Sequence, residues 1–186
     1  MEDTVQNNRK KIIQEYGVKL KPLTAKDLEL VRRWRNDPKI VRFMEFRDYI
    51  SAEMQIIWFE KISNRHHFFY IVEFEDKDIA LANIKNVDFE RKTGESGLFI
   101  WDDNYTDSII SYKITYALYD FAFENLGLTQ IECHVLQDNK RAIDYNKSLG
   151  FKLQQNQDIL LNQLYRLTKY DYNTKKCRFL KYVINS

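Results

Sequence analysis

Three apolar runs with strand-like patterning follow one another near the middle of the chain, and this succession narrows the possible folds more than any other feature. The runs are FFYIVEFE (residues 68–75), IALANIKNVDF (79–89) and ESGLFIW (95–101). The first two are joined through EDKD, a connection short enough for a β-hairpin. Because strands joined by short turns run antiparallel, these runs predict an antiparallel meander at the centre of a sheet.

Helical and further strand-like segments surround this meander. Helical spacing occurs in TAKDLELVRRWRND (24–37), SAEMQIIWFEKI (51–62), a segment from about 107 to 125, and NKRAIDYNKSLG (139–150). Strand-like runs are VKLKPL (18–23), LTQIECHVL (128–136), FKLQ (151–154) and NQLYRLTKYDY (162–172). This order predicts the α/β (α+β) class, with a mixed, mainly antiparallel central sheet and helices on both of its faces.

The chain is expected to form one domain. Only five glycines and two prolines interrupt its 186 residues, and no segment has the composition of a flexible linker. We predict a single domain from residue 16 to 186, preceded by an N-terminal extension of residues 1–15. The closing run RFLKYVIN, residues 178–185, is open to two interpretations, a last strand or an oligomer contact such as that of a homodimer.

Composition excludes several classes of partner. Charged residues make up 30% of the chain but leave a formal net charge of only +2, which predicts neither a nucleic-acid nor a membrane partner. No run of about eighteen apolar residues occurs, so a soluble, cytoplasmic protein is expected. Cys133 and Cys177 form no CxxC pair, and His66-His67 has no third ligand at metal spacing, so no metal site is predicted.

The stretch YDFAFENLGLTQIECHVLQDNKRAIDYNKSLGF, residues 119–151, carries a resemblance to a known family. It resembles the C-terminal block of the GNAT superfamily of acyl-CoA N-acyltransferases. The matching residues are Phe123, Leu126, Leu128, Val135, Asn139, Ala142, Ile143, Tyr145, Gly150 and Phe151. WRND (34–37), ISAEMQIIWFEKI (50–62) and GESGLFIW (94–101) resemble one branch, which includes ribosomal-protein N-terminal acetyltransferases and acetyltransferases of nucleotide-linked amino sugars. The resemblance implies a GNAT-like fold.

The activity that this resemblance implies is transfer of an acetyl group from acetyl-CoA to a primary amine. The reaction needs a base for the amine proton, donors for the oxyanion and an acid for the departing thiolate. Tyr145 matches the family's acid, although its helical stripe is also typical of core packing. Glu95 matches the branch's strand carboxylate, or is a solvated residue at a strand start. Glu132 and His134, on one face of the next strand, are rival bases.

The resemblance also assigns residues to the acetyl-CoA site. Backbone N–H groups near Ile100 and Trp101 would be the oxyanion donors. Asn139 matches the family's asparagine that contacts the coenzyme, and it can cap the following helix at the same time.

The loop that precedes the long helix holds the position of the family's pyrophosphate cradle. The family's glycine-rich pattern falls here on Thr106, Asp107, Ser108, Ile109, Ile110 and Ser111. A helix N-terminus still offers free N–H groups, and two of these residues add hydroxyls. Ile109 and Asp107 oppose an anion, so the coenzyme is expected to bind more weakly or in a shifted pose, or the donor differs. The alternative function is therefore a non-catalytic GNAT-fold binding or scaffold protein.

The acceptor pocket is predicted from the first helix and its end. Trp34, Arg35 and Asn36 are its candidate wall, with Arg35 able to pair with phosphates or acids. The alternative interpretation places Trp34 in the core and the arginines in solvent, with Asn36 only ending the helix. An amino-sugar nucleotide is the first predicted acceptor and a protein N-terminus the second, and another small-molecule amine stays open.

Overall fold

The strands form one eight-stranded sheet in the computed structural model, which describes residues 7–106 and 108–184. They are β1 (Ile13–Glu15), β2 (Val18–Pro22), β3 (Phe68–Phe74), β4 (Lys77–Asp88), β5 (Thr93–Ile100), β6 (Gln130–Leu136), β7 (Lys152–Leu153) and β8 (Asn162–Thr168). Their order across the sheet is β1-β2-β3-β4-β5-β6-β8-β7. Every neighbouring pair is antiparallel except β5 and β6, which are parallel. The predicted mixed, mainly antiparallel sheet is confirmed.

Six helices have bounds that matter for the site. They are α1 (Leu28–Arg35), preceded by a 3-10 turn (Ala25–Asp27), α2 (Pro38–Val41), α3 (Ala52–Ile62), α4 (Ile109–Asp120), which continues as a π-helical turn (Phe121–Asn125), α5 (Lys140–Leu149) and α6 (Lys169–Ile184). Ser51 caps the start of α3, since its Oγ accepts a hydrogen bond from the Met54 N–H at 3.2 Å. No helix in the described ranges is both long and apolar enough to cross a membrane.

The alternation of β4 divides the interior into two cores. Ala80, Ala82 and Ile84 are buried in the larger core, with α4 and α5. Leu81 points to the other face, where it joins Val31 of α1 in the smaller core. Helices therefore cover both faces of the sheet, as predicted, and side chains on opposite faces of β4 and β5 meet different helices.

The chain ends in a helix where a strand was predicted. β8 ends at Thr168, and the last-strand interpretation of residues 178–185 is wrong as far as residue 184; Asn185 lies outside the described residues. The Asp171 N–H donates to Thr168 Oγ1 at 3.1 Å, which caps the start of α6. Tyr172, only 1% exposed, then packs on α4. The TKYD pattern, residues 168–171, was the missed signal for a helix start.

The N-terminal side of the sheet holds an edge strand that the sequence analysis assigned to the extension. Residues 13–15 form β1, which pairs antiparallel with β2. The turn between them contains Tyr16, whose hydroxyl donates to Asp120 Oδ2 of α4 at 2.5 Å. This hydrogen bond joins the edge of the sheet to the helix that lies across it.

Candidate active site

The parallel strands β5 and β6 separate part-way along their length. They pair only from Thr93↔Gln130 to Glu95↔Glu132. Beyond that register, β5 stays paired with β4 as far as Ile100, and β6 stays paired with β8. A wedge-shaped gap therefore opens in the middle of the sheet. A cleft of about 600 Å³ occupies this gap and is lined by residues from both faces.

Backbone donors lie along one edge of the gap. The Trp101 N–H donates to the Ile79 carbonyl oxygen of β4 at 3.0 Å, so it points away from the gap. Because successive N–H groups of a strand point in opposite directions, those of Leu98 and Ile100 face the gap. Trp101 is therefore not placed to be the predicted oxyanion donor, and its buried indole donates to the Asp78 carbonyl oxygen at 2.8 Å. Ile100 remains a predicted donor.

On the side of α4 and α5, the Tyr145 hydroxyl lies at the cleft between two polar groups. It donates to the Ser111 carbonyl oxygen at 2.8 Å and lies 2.6 Å from Thr115 Oγ1. Since its own proton goes to Ser111, the Thr115 hydroxyl donates to it. Burial raises the pKa of Tyr145, although these two hydrogen bonds oppose the rise. The phenol therefore stays protonated at neutral pH and holds a proton for a leaving group.

The start of α4, the predicted pyrophosphate cradle, is capped by its own chain. Ser108 Oγ accepts from the Ile110 N–H at 3.1 Å and donates to the Tyr105 carbonyl oxygen at 2.7 Å. The Ser111 N–H donates to the Ser108 carbonyl oxygen at 3.2 Å. Two of the first three N–H groups of the helix are thus occupied, and in the described ranges that of Ile109 has no acceptor.

Of the other side chains of this loop, some line the cleft and one is buried in the larger core. Thr106 and Ser111 line the cleft. Ile109 is 41% exposed, whereas the side chain of Ile110 is buried in the larger core. Asp107 lies outside the described residues. The side chains of Thr106 and Ser111 are therefore the ones of this predicted set that reach the cleft.

Asn139 has the geometry that the capping interpretation predicted. Its Oδ1 accepts a hydrogen bond from the Ala142 N–H at 3.1 Å, at the N-terminus of α5. The same residue lines the cleft, so a contact with the coenzyme stays compatible with its role as a cap and remains a prediction.

Glu95 lies on the other face of the sheet, where it is held as a carboxylate. Its Oε1 lies 3.0 Å from Lys85 Nζ, and Asn86 Nδ2 donates to its Oε2 at 3.1 Å. Burial acts to raise the pKa of Glu95, but the Lys85 ammonium, with smaller contributions from His134 and Asn86, lowers the pKa overall. Since a carboxylate with a lowered pKa is a weak base, Glu95 is suited to orient another base or to bind an ammonium group.

Of the two rival bases, His134 is the one beside Glu95. Its Nδ1 lies 3.4 Å from Glu95 Oε1, its side chain is 40% exposed, and it lines the cleft. Glu132 instead accepts two hydrogen bonds from Arg166, at 2.7 and 3.0 Å. The structure therefore joins two of the three candidate bases into one pair, Glu95–His134, and commits the third to an ion pair.

Arg35 is the member of the predicted acceptor wall that lines the cleft. Its guanidinium carbon lies 5.8 Å from the centre of the Trp58 ring, and burial lowers its pKa. No carboxylate pairs with it within the described part of the chain. A cation that is partly buried and unpaired at a cleft is suited to bind an anionic group.

The other two members of that wall are structural residues, which corrects the prediction. Trp34 stacks on Trp101 in the smaller core, with ring centres 5.9 Å apart and an interplanar angle of 8°. Asn36 holds Ile50 through two hydrogen bonds, from Asn36 Nδ2 to the carbonyl oxygen at 2.9 Å and from the Ile50 N–H at 2.8 Å. These contacts fix the position of α1, and of the three predicted wall residues it is Arg35 that lines the cleft.

Several cleft residues were missed by sequence reasoning. Asn83 and Lys85 lie on β4 opposite Gly97 and Glu95, and the signal was their polar alternation in an otherwise apolar run. The segment that follows α1 contributes Lys39, Arg42, Phe43, Met44 and Phe46. That segment carries no periodic pattern, so it could not be assigned to a site from its residues alone.

His66 and His67 have structural partners. His66 Nδ1 lies 2.6 Å from the Val87 carbonyl oxygen, and the Asn86 N–H donates to His67 Nδ1 at 3.3 Å. In residues 7–106 and 108–184, no three His, Cys, Asp or Glu side chains form a cluster that could hold a metal ion.

A mainly antiparallel sheet, with one parallel pair that opens around a cleft, defines the acyltransferase class to which the sequence pointed. The chain matches the family model described as an acetyltransferase (GNAT) domain over residues 18–152, and it belongs to this family. It is therefore an N-acetyltransferase of the GNAT type.

Curated relatives and solved structures agree with this assignment. The chain is 29% identical over 130 residues to the acetyltransferase PseH of Campylobacter jejuni strain 81-176, covering 68% of this chain and 79% of that one. It shares the fold of the Vibrio cholerae spermidine N-acetyltransferase solved with CoA and spermine (TM-score 0.74, 18% identity, 84% of this chain and 98% of that one). It also shares the fold of FdhC, described as a nucleotide-linked sugar GNAT (TM-score 0.75, 16% identity, 91% and 97%).

Proposed function

We propose that this protein moves an acetyl group from acetyl-CoA to the primary amine of a nucleotide-linked amino sugar. The observation that carries the proposal is the cleft between β5 and β6. It brings the Tyr145 hydroxyl from one face of the sheet, and the Glu95–His134 pair from the other, to the same gap.

The thioester carbonyl is placed in the gap between the two strands. There the Leu98 and Ile100 N–H groups would stabilise the oxyanion that forms when the amine attacks. The solved spermidine N-acetyltransferase with the same fold was crystallised with CoA, which supports this donor.

The transfer is a direct attack on the thioester. The amine nitrogen forms a bond to the acetyl carbon, the bond from that carbon to the CoA sulfur breaks, and the amine loses one proton. Tyr145 gives its hydroxyl proton to the departing thiolate and is reprotonated through the neighbouring Thr115 hydroxyl or from solvent. The acid and the oxyanion donors thus act on opposite ends of the breaking bond.

The amine proton goes to the Glu95–His134 pair. His134 takes it on the ring, and Glu95, whose Oε1 lies 3.4 Å from His134 Nδ1, orients the imidazole. Lys85 keeps Glu95 ionised, so the carboxylate is available to its partner across the working pH range.

The charge of the acceptor wall supports an anionic substrate. Lys39 pairs with Asp103 at 2.8 Å and Lys85 pairs with Glu95. Arg35 and Arg42 also line the cleft, and no described ion pair neutralises either of them. A diphosphate is the biological anion that best matches two guanidinium groups. The shared fold with a nucleotide-linked sugar GNAT points to the same substrate class.

The positive charge of the cleft wall is less suited to the two other candidate acceptors, a polyamine and a protein N-terminus. A polyamine would meet the Arg35 and Arg42 guanidinium groups at the wall of the cleft, where the carboxylate of Glu45 is the one acid outside a described ion pair. A protein N-terminus, the second predicted acceptor, has no anionic group that would use Arg35. We therefore place the nucleotide-linked amine first.

The self-capped start of α4 is the observation that favours a non-catalytic alternative, because it leaves few free N–H groups for a pyrophosphate. Isothermal titration with acetyl-CoA separates the two functions. Binding in the micromolar range supports the enzyme, and no binding at millimolar coenzyme would leave a GNAT fold used only as a binding module.

The acceptor is tested by following free thiol release with acetyl-CoA and three probes: UDP-glucosamine, spermidine and a tripeptide with a free N-terminus. We expect the highest kcat/KM with UDP-glucosamine. Arg35→Gln should raise the KM for UDP-glucosamine and leave that for glucosamine, which lacks the diphosphate, unchanged. Preference for spermidine or the peptide would refute the proposed acceptor.

A further inference from the structure

Asn83 of β4 carries a buried polar group that the fold does not use. The residue is only 9% exposed, and its Oδ1 is fully enclosed without a hydrogen-bond partner among the described residues. Buried side-chain amides are normally paired, because a lost hydrogen bond to water is costly. A buried, unpaired carbonyl oxygen at this position calls for a partner that the described residues do not supply.

The missing side chain of Gly97 gives this amide its position. A Cβ atom at Gly97 would lie 2.8 Å from Asn83 Nδ2 and 3.2 Å from Oδ1, closer than such contacts normally occur. The amide of Asn83 therefore lies across the backbone of β5, over the residue opposite it in the register. Both residues line the cleft, so the amide belongs to the site and not to the packed interior.

The neighbours of Asn83 on the same face indicate what it would bind. Lys85 lies two residues from Asn83 along β4, a separation of about 7 Å for a β-strand, and its charge is neutralised by Glu95. In the other direction is apolar Leu81, opposite Phe99. The position thus lies between an ion pair that needs no further charge and an apolar wall.

A hydroxyl group matches this environment. An amide presents a donor and an acceptor, and a hydroxyl can both donate and accept, so either orientation of the amide is satisfied. We propose that the Asn83 amide, which occupies the space above Gly97, binds a hydroxyl of the acceptor substrate next to the amine that is acetylated. The proposal rests on the proposed function and adds a specificity-determining residue to it.

The test uses the purified full-length protein, acetyl-CoA and UDP-glucosamine. Asn83→Leu keeps the approximate size of the side chain and removes the amide. We expect it to raise the KM for UDP-glucosamine about tenfold with little change in kcat, the effect of losing one buried hydrogen bond to substrate. Asn173→Leu, at an exposed asparagine of α6 outside the cleft lining, is the matched control and should change neither constant.

A substrate change identifies the group that is bound. The 3-deoxy analogue of UDP-glucosamine lacks the hydroxyl beside the amine. The KM of the wild-type protein for this analogue should be raised as much as the KM of Asn83→Leu for UDP-glucosamine. The two changes should not add, since both remove one contact. Additive rises, or an unchanged KM in Asn83→Leu, would overturn the role of Asn83.

The thermal midpoint of the free protein separates substrate recognition from a structural role. Asn83→Leu loses no side-chain hydrogen bond to any residue that the structure describes, so its Tm should equal or exceed that of wild type. A Tm several degrees lower would mean that the amide has a partner in the fold, and would overturn the proposal. If the wild-type protein acetylates no amine, the proposed function and the role of Asn83 are both overturned. If the Asn83→Leu variant acetylates UDP-glucosamine with the KM of wild type, only the role of Asn83 is overturned.

Discussion

Tyr145 of α5 donates its hydroxyl proton to the backbone carbonyl oxygen of Ser111 in α4, across 2.8 Å. Ser111 is the last residue of the predicted pyrophosphate cradle and lies in the first turn of α4. The proposed acid is therefore aligned by the same turn of helix that would receive the coenzyme. A shift of that turn would move the proton donor with it.

Tyr145→Phe removes the proposed acid and keeps the ring. We expect kcat to fall about 100-fold, the usual contribution of a general acid, with KM nearly unchanged. Steady-state thiol release measures both constants. Tyr112→Phe is the matched control, since Tyr112 packs on Tyr145 at 5.0 Å but its hydroxyl contacts Ser148 instead. Equal kcat in Tyr145→Phe and wild type would remove Tyr145 from the mechanism.

Glu95→Gln should destabilise the protein at neutral pH and not in acid. The pKa of Glu95 is lowered in the folded state, so its carboxylate contributes stability above its unfolded pKa of about 4.3, and this contribution is lost as the pH falls through the lower folded pKa. Urea unfolding of variant and wild type should differ at pH 7, and the difference should shrink as the pH falls through the lowered folded pKa. A constant difference between the two proteins would show that Lys85 does not stabilise the ionised form.

His134→Gln should slow acetyl transfer more at neutral pH than in alkaline solution. The imidazole is the proposed base, and free hydroxide or an already neutral amine replaces it as the pH rises. We expect a kcat/KM about 100-fold lower near pH 7 and a smaller loss at pH 9. The same loss at both pH values would assign His134 a role in binding and not in proton transfer.

Ser108→Ala should weaken the fold without weakening coenzyme binding. Its hydroxyl already donates to Tyr105 and accepts from Ile110, so the substitution costs an N-cap, about 1 kcal/mol of unfolding free energy. It also frees the Ile110 N–H for the pyrophosphate. The Kd for acetyl-CoA from isothermal titration should therefore stay equal or become lower. A tenfold higher Kd would make the Ser108 hydroxyl a phosphate ligand, as the sequence suggested.

Asp120→Asn should be the most destabilising exchange of an acid outside the cleft. Asp120 accepts from the hydroxyls of Tyr16 and Tyr172, at 2.5 and 2.7 Å, and from Lys176 at 2.6 Å. Because these groups are partly exposed, we expect a loss of about 2 kcal/mol, below that of a fully buried pair. Lys152→Met breaks an exposed pair with Asp171 and should cost less than about 1 kcal/mol. Similar losses in both variants would contradict this difference.

The parts of the fold with strong periodicity were predictable, and the parts determined by tertiary context were not. The meander follows from the alternation of apolar and polar residues, and the long helix from its apolar stripe. The next helix follows from the capping residue Asn139. The helix that begins at Lys169 was interpreted as a strand because its aromatic residues are typical of strands. The cap at Thr168 and the packing of Tyr172 on α4 stabilise the helix instead.

The site followed the same division. Tyr145, Glu95 and Asn139 were found because each falls on a motif residue, and His134 because it shares the alternation of β6. The assignment of Trp34 and Asn36 to the acceptor wall failed because short-range sequence does not tell which side of a helix faces a cleft. Asn83 was not considered, since its significance depends on the space above Gly97, a residue that is distant in sequence.

The family match ends at residue 152, but the folded unit does not. β8 pairs with β6 over its full length, from Gln130↔Thr168 to Leu136↔Asn162, and α6 buries Tyr172 against α4. A chain trimmed to the matching region would leave β6 with an unpaired edge and strip the cover from the helix that aligns the acid. Anyone who transplants or shortens this enzyme should therefore treat its C-terminal segment as a requirement for activity.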